Sequence, residues 1–169
     1  HHLIRKKKLP DVDEIQSIEH FRLLTDLMQT HEYVHYEISN FAKEGYYSRH
    51  NSLYWMGGNY LGLGPSAHSF NGISRQWNVS SIPKYIQHDF KEGVVYEEEI
   101  LSPAQRYNEY IMTSLRTQWG CDLEHIQNSF GRERAKYCLN ESTKYVREEK
   151  LVKKGNKIES KNSFEHSLR

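Results

Sequence analysis

The chain has 169 residues, enough for one large domain or two small ones. Its 23 Lys and Arg face 22 Asp and Glu, a formal charge of +1, which argues against the strongly basic footprint of a dedicated nucleic-acid binder and against an acidic disordered tail. Only 37% of the residues are hydrophobic, so the twelve Tyr, six Phe and three Trp must supply much of any core.

In chain order, a basic run at Arg5 to Lys8 reads as solvated surface, and Pro10 with Asp11 or Asp13 signals a helix start. Ile15, Ile18, Phe21, Leu24, Leu27 and Met28 recur at helical spacing, which predicts a helix over 13–30. Tyr33 to Ile38 is aromatic and β-branched, with Val34, Tyr36 and Ile38 on one face, and predicts a strand. A helix followed closely by a strand is half of a βαβ unit, so a parallel α/β sheet is expected. Residues 39–59 are rich in Ser, Asn, Gly and aromatics and read as a long ordered loop. Tyr60 to Gly64 reads as a short strand with a glycine-rich exit, and Ser81 opens a short helix ending at Gly93.

Ser102-Pro103-Ala104-Gln105 combines an N-cap, a proline at the first helical position and a capping-box Gln. Two further helices follow, over 122–130 and 132–149, separated by Gly131. Leu151 to Ile158 then reads as strand, turn, strand. Three helices and a hairpin are the winged-helix order, which keeps a nucleic-acid or protein-binding module as one functional alternative. Glu133, Glu141, Glu148 and Glu149 on the third helix are wrong for a helix lying in a DNA groove, so no nucleic-acid partner is expected. A boundary is placed in the acidic stretch near Glu97 to Ser102, giving residues 1–97, residues 98–158 and a polar tail at 159–169. Cys121 and Cys138, seventeen positions apart, form neither a disulfide framework nor a C-x-x-C knuckle, so a reducing, cytoplasmic compartment is expected.

Chemistry concentrates in two places. In parallel α/β folds the loops after the carboxyl ends of strands build the site, which draws attention to Ser39 to Ala42. His50, flanked by Tyr46, Tyr47, Tyr54 and Trp55, reads either as an imidazole ligand beside a flat apolar group or as a histidine bonded to a backbone carbonyl. In Leu61-Gly62-Leu63-Gly64-Pro65, glycines at alternate positions permit close backbone approach to a ligand, or simply a tight bend. No G-x-G-x-x-G is present, so a dinucleotide site is unsupported.

Three ordered segments carry a family resemblance: Tyr36-Glu37-Ile38-Ser39-Asn40-Phe41-Ala42, His50-Asn51-x-x-Tyr54-Trp55, and Tyr60 to Ser69 with its Gly-Leu-Gly-Pro-Ser-Ala-His core. Together with Arg75-Gln76-Trp77-Asn78 they resemble the HemW group of radical SAM proteins, heme chaperones related to the oxygen-independent coproporphyrinogen III oxidase HemN. The resemblance covers about residues 3–158 and implies an α/β fold: the last helix and strand of a partial (β/α) barrel, then a small helical domain. It implies heme as ligand, with His50 on the iron and Tyr54 and Trp55 beside it. It also implies a SAM pocket reached by Asn40, Phe41, Ala42, Gly62, Gly64 and Ala67, and a 4Fe-4S cluster in the parent protein. The family's C-x-x-x-C-x-x-C cluster motif is absent, so the chain is expected to be a C-terminal portion without enzymatic activity of its own. SAM-dependent decarboxylation of coproporphyrinogen by the parent is the alternative function. A hemoprotein client is the implied partner, and an exposed barrel edge would allow a homodimer.

Overall fold

The computed structural model describes residues 6, 13–87 and 96–161. The basic run (Lys6 apart), the Pro10 start signal, the helix end at Gly93 and the tail from 162 lie outside the described residues.

Helix α1 spans Glu14–Thr30, and Asp13 caps it by accepting the Gln16 backbone N–H at 3.0 Å. Its apolar stripe predicts a buried face, yet none of its residues is fully buried, and Leu23 and Leu27 are 66% and 58% exposed. Strand β1, Tyr33–Glu37, follows as expected. The parallel pairing does not. Residues Asn40–Lys43 form a second strand, β2, and pair antiparallel with β1 in a tight hairpin. Val34 faces Ala42, His35 faces Phe41 and Glu37 faces Asn40, with a bulge between His35 and Glu37. The stacked His35 and Phe41 rings, 4.0 Å apart, help fix this register. Among the described residues no sheet closes into a barrel.

The expected long loop is also partly ordered as helix. Ser48 accepts the Asn51 N–H at 3.3 Å and starts α2, Arg49–Trp55. Tyr60 does not belong to a strand; it makes a single bridge to Phe70, each amide donating to the other's carbonyl at 2.9 Å. A three-stranded antiparallel sheet follows, ordered β3–β4–β5, from His68–Phe70, Ser74–Asn78 and Tyr96–Ile100. The β3–β4 turn is set by Asn71, whose side-chain Oδ1 accepts the Ile73 and Ser74 amides at 2.9 and 2.7 Å while Gly72 takes a φ of +89°. Helix α3, Ile82–Gln87, lies between β4 and β5 in sequence.

The helical part follows the predicted order. The capping box at Ser102 and Gln105 forms and opens α4, Pro103–Ser114. Asp122 caps α5, Leu123–Phe130, and Gly131 turns the chain into α6, Arg132–Arg147. Strands β7 (Leu151–Lys154) and β8 (Lys157–Ser160) make the hairpin, so the second strand of the wing is present. Strand β6, Cys121–Asp122, adds to β8 and completes a sheet ordered β6–β8–β7. The core gathers Tyr107, Cys121, Ile126, Ala135, Cys138 and Ile158 between these helices and this sheet.

A joint ties the hairpin to this core. The Gln118 amide donates to the Tyr36 carbonyl at 3.0 Å, and Glu37 bridges Thr117. The Tyr36 ring, 2% exposed, packs on Tyr47 and Trp119 at 5.2 and 6.1 Å. Glu37 is equally buried and accepts from the Asn40 amide and, at 3.3 Å, from the Ser39 N–H.

Candidate functional site

The short helix α2 places the His50, Tyr54 and Trp55 side chains on successive turns. Residues 50 and 54 are four apart, hence neighbours on one face, and their rings meet edge to face at 4.9 Å. His50 is exposed, so its imidazole is open to a ligand from solvent. Tyr54 continues the aromatic run to Tyr60 at 4.4 Å, and Tyr60 to Phe70 at 6.0 Å. Trp55 lies under the Arg116 guanidinium, 5.7 Å from ring to carbon. Asn51 donates to the Tyr36 hydroxyl at 3.3 Å, which anchors α2 to β1.

Tyr54 and Trp55 form one wall of a cleft of about 610 Å³ between α2, the β3–β4 hairpin and helices α4 and α5. Phe70, Tyr110 and Phe130 supply further aromatic surface, and Arg75, Arg106 and His125 supply polar groups. His125 is exposed, but its ring stacks on Tyr110 at 4.5 Å and borders the cleft. Arg75 sits across the cleft from the motif helix. One of its terminal nitrogens donates to both Glu109 carboxylate oxygens at 3.0 Å. Burial opposes the Arg75 charge, but Glu109 and Tyr60 outweigh it and hold the guanidinium protonated above its usual range. Burial raises the pKa of Tyr110, opposed by the Asp122 amide, which donates to its oxygen at 2.9 Å.

The glycine-rich segment closes on itself. Asn78 donates its side-chain amide to the carbonyls of Gly62 and Gly64 at 3.3 and 2.9 Å, and its backbone amide to Ala67 at 2.9 Å. The Gly62 N–H reaches Ser69 Oγ and the Gly64 N–H reaches the Tyr85 hydroxyl, both at 3.0 Å. A Cβ on Gly62 would overlap the His68 backbone carbonyl, so the need for glycine at 62 is a close approach of the chain to itself. Gly62, Gly64 and Ala67 are thus brought together around one asparagine. Asn40, Phe41 and Ala42 are not at the end of a parallel strand, as the sequence suggested, but on β2 of the separate hairpin. Among the described residues no hydrogen bond joins the two groups.

The sequence reading missed Arg75 and Glu109 as a pair, and missed Arg106 and Phe130 as cleft residues. Arg75 was visible only as part of a motif. Its partner lies 34 positions away on another element, a separation no local pattern reveals.

For an iron–sulfur cluster the residues do not fit. The chain has two cysteines, and both are buried in the helical core. Among the described residues no group of three or more His, Cys, Asp or Glu is placed to hold a metal ion. Likewise, no helix there is long and apolar enough to cross a membrane.

In sequence and in fold the chain is similar to the C-terminal part of HemW and HemN proteins. Residues 101–159 match the family described as the HemN C-terminal domain. Heme chaperone HemW of Bacillus subtilis (strain 168) is 30% identical over 133 residues, which are 78% of this chain and 35% of that protein. Heme chaperone HemW of Lactococcus lactis subsp. lactis (strain IL1403) is 29% identical over 123 residues, 73% of this chain and 32% of that protein. In fold, the chain is similar to coproporphyrinogen III oxidase (HemN) from Escherichia coli, a radical SAM enzyme, with a TM-score of 0.62 and 15% identity over 88% of this chain and 38% of that one. The chain spans about a third of the length of the curated relatives it matches.

Proposed function

We propose that this chain is the C-terminal portion of a HemW-like heme chaperone and that His50 ligates the iron of heme bound for delivery to a hemoprotein client. The carrying observation is the motif helix itself: α2 exposes the His50 imidazole edge-on to Tyr54 and turns Tyr54 and Trp55 toward an aromatic cleft. An imidazole nitrogen is a good axial ligand for heme iron. Flat aromatic walls suit a macrocycle, and guanidinium groups suit its propionates. Arg75 and Arg106 on the cleft wall supply the latter.

Asn40, Phe41, Ala42, Gly62, Gly64 and Ala67 are assigned to the SAM pocket of the parent on their motif match, and the cluster to the part of the parent outside this chain. The division into a barrel portion at 1–97 and a helical domain at 98–158 belongs to the same reading, as does a cytoplasmic setting. A second copy would pack on the exposed Leu23 and Leu27 of α1 rather than on β5, whose three consecutive glutamates repel strand addition.

Titration of the protein with hemin, followed in the Soret band, tests this reading. The expected result is saturation near one heme per chain, with affinity at least about tenfold weaker in His50→Ala, a loss of about 1.4 kcal/mol. Equal titration curves for the two proteins would overturn the role of His50.

A further inference from the structure

The helical domain has a hollow of its own that the heme reading does not use. A groove of about 380 Å³ is bordered by α4, α6 and the wing sheet, and none of its lining residues borders the heme cleft. Its floor belongs to the core: Cys121, Cys138 and Ile158 are 1%, 9% and 1% exposed. Its rim is open to solvent, with Met112 of α4 54% exposed and Tyr137 and Tyr145 of α6 58% and 43% exposed.

The charge at the rim has one sign. Positions 137, 141 and 145 are four apart on α6, so Tyr137, Glu141 and Tyr145 stand in one row along the helix. Glu141 is the single charged residue bordering the groove, and among the described residues it makes no ion pair. Lys144 does not border the groove; its Nζ lies over the Tyr145 ring, 5.8 Å from the centroid. Arg134 likewise lies outside the groove, over the Tyr107 ring at 5.4 Å.

A carboxylate between two tyrosines, above an apolar floor, suits a cation that carries methyl groups rather than N–H bonds. Ring faces attract positive charge, the unpaired Glu141 supplies the opposite charge, and the floor takes the methyl surface out of water. A primary ammonium suits the groove less. It is strongly hydrated and brings three N–H donors, and the thiols and Ile158 of the floor are poor acceptors for them. We propose that this groove binds a small free methylated ammonium compound, with Tyr137 and Tyr145 against its charge and Glu141 neutralising it.

The test titrates the protein with choline, with its neutral carbon isostere 3,3-dimethylbutan-1-ol and with ethanolamine, followed by protein-observed NMR. The expected result is saturable choline binding that shifts the Met112 methyl and the Tyr137 and Tyr145 ring signals, with the isostere about tenfold weaker. Ethanolamine should be weaker than choline as well. Glu141→Gln should weaken choline about fivefold and leave the isostere unchanged. Tyr137→Leu should weaken choline while keeping an apolar side chain at an exposed position. Absence of saturable choline binding would overturn the proposal. So would equal affinity for choline and the isostere, tighter binding of ethanolamine, or shifts confined to residues outside the groove. The three ligands on the wild type decide these outcomes even if a variant fails to fold, and none of them depends on heme.

Discussion

Tyr36 is the point at which the first hairpin is locked to the helical core. Replacing it by alanine removes a ring that is 2% exposed and leaves a cavity facing Tyr47 and Trp119. Truncating a fully buried aromatic costs about 3–5 kcal/mol, because transfer and cavity contributions add. For a chain of this size that is a fall in Tm of roughly 6–20 °C. Tyr36→Phe keeps the ring and loses one long hydrogen bond, from Asn51 at 3.3 Å, so it should cost only about 0.5–1.5 kcal/mol. Urea unfolding followed by tryptophan fluorescence reads both, with Trp119 reporting on the joint itself. The contrast between the variants carries the argument. If the alanine variant lost no more than the phenylalanine variant, Tyr36 would not be holding hairpin and core together.

Two further outcomes follow from the same geometry. Burial lowers the pKa of His35 below its unfolded value of about 6.5, against the smaller opposing effects of the Ile38 carbonyl and Glu37. Its contribution is therefore complete above pH ~6.5 and is lost as the pH falls toward the folded pKa, since the unfolded chain takes up the proton first. Unfolding free energies at pH 7.5, 6.5 and 5.5 should fall more steeply in the wild type than in His35→Phe, and parallel profiles would refute the assignment. Gly62→Ala should destabilise by about 1–3 kcal/mol, because the new methyl overlaps the His68 carbonyl and nothing but backbone can move. Hydrogen exchange at the Phe70 amide, bonded to Tyr60, should accelerate with it; a change under about 0.5 kcal/mol would show that the segment can shift freely.

The helical half was legible in the sequence because its signals are local. The Ser102 box, the Asp122 cap and the turn at Gly131 each fix an element end by side chains within a few residues. The hairpin was not legible. β2 is four residues long, half exposed, and entered without an Asn-Gly or Gly-Gly turn. The second sheet hid for a related reason. Tyr96-Glu97-Glu98-Glu99-Ile100 has no apolar alternation and is exposed throughout. It is a strand because it lies against β4, where Arg75 faces Glu99 and the Trp77 indole donates to Glu97 at 3.0 Å. Those are cross-strand contacts, invisible to a periodicity argument. The His50-Asn51-x-x-Tyr54-Trp55 segment was singled out as a motif, but its helical form was read as loop. The cleft beside it draws on four elements far apart in sequence, and only the fold assembles them.

The central claim is that His50 itself bonds to heme iron. The most direct measurement is an axial-ligand exchange: the ferric absorption and electron paramagnetic resonance spectra of the hemin complex, compared between wild type and His50→Cys. Ligation by His50 predicts an imidazole-type spectrum in the first and a thiolate-type spectrum in the second, since the axial ligand sets the electronic state of the iron. Identical spectra from the two proteins would contradict the account and return His50 to the role of a surface residue packed on Tyr54.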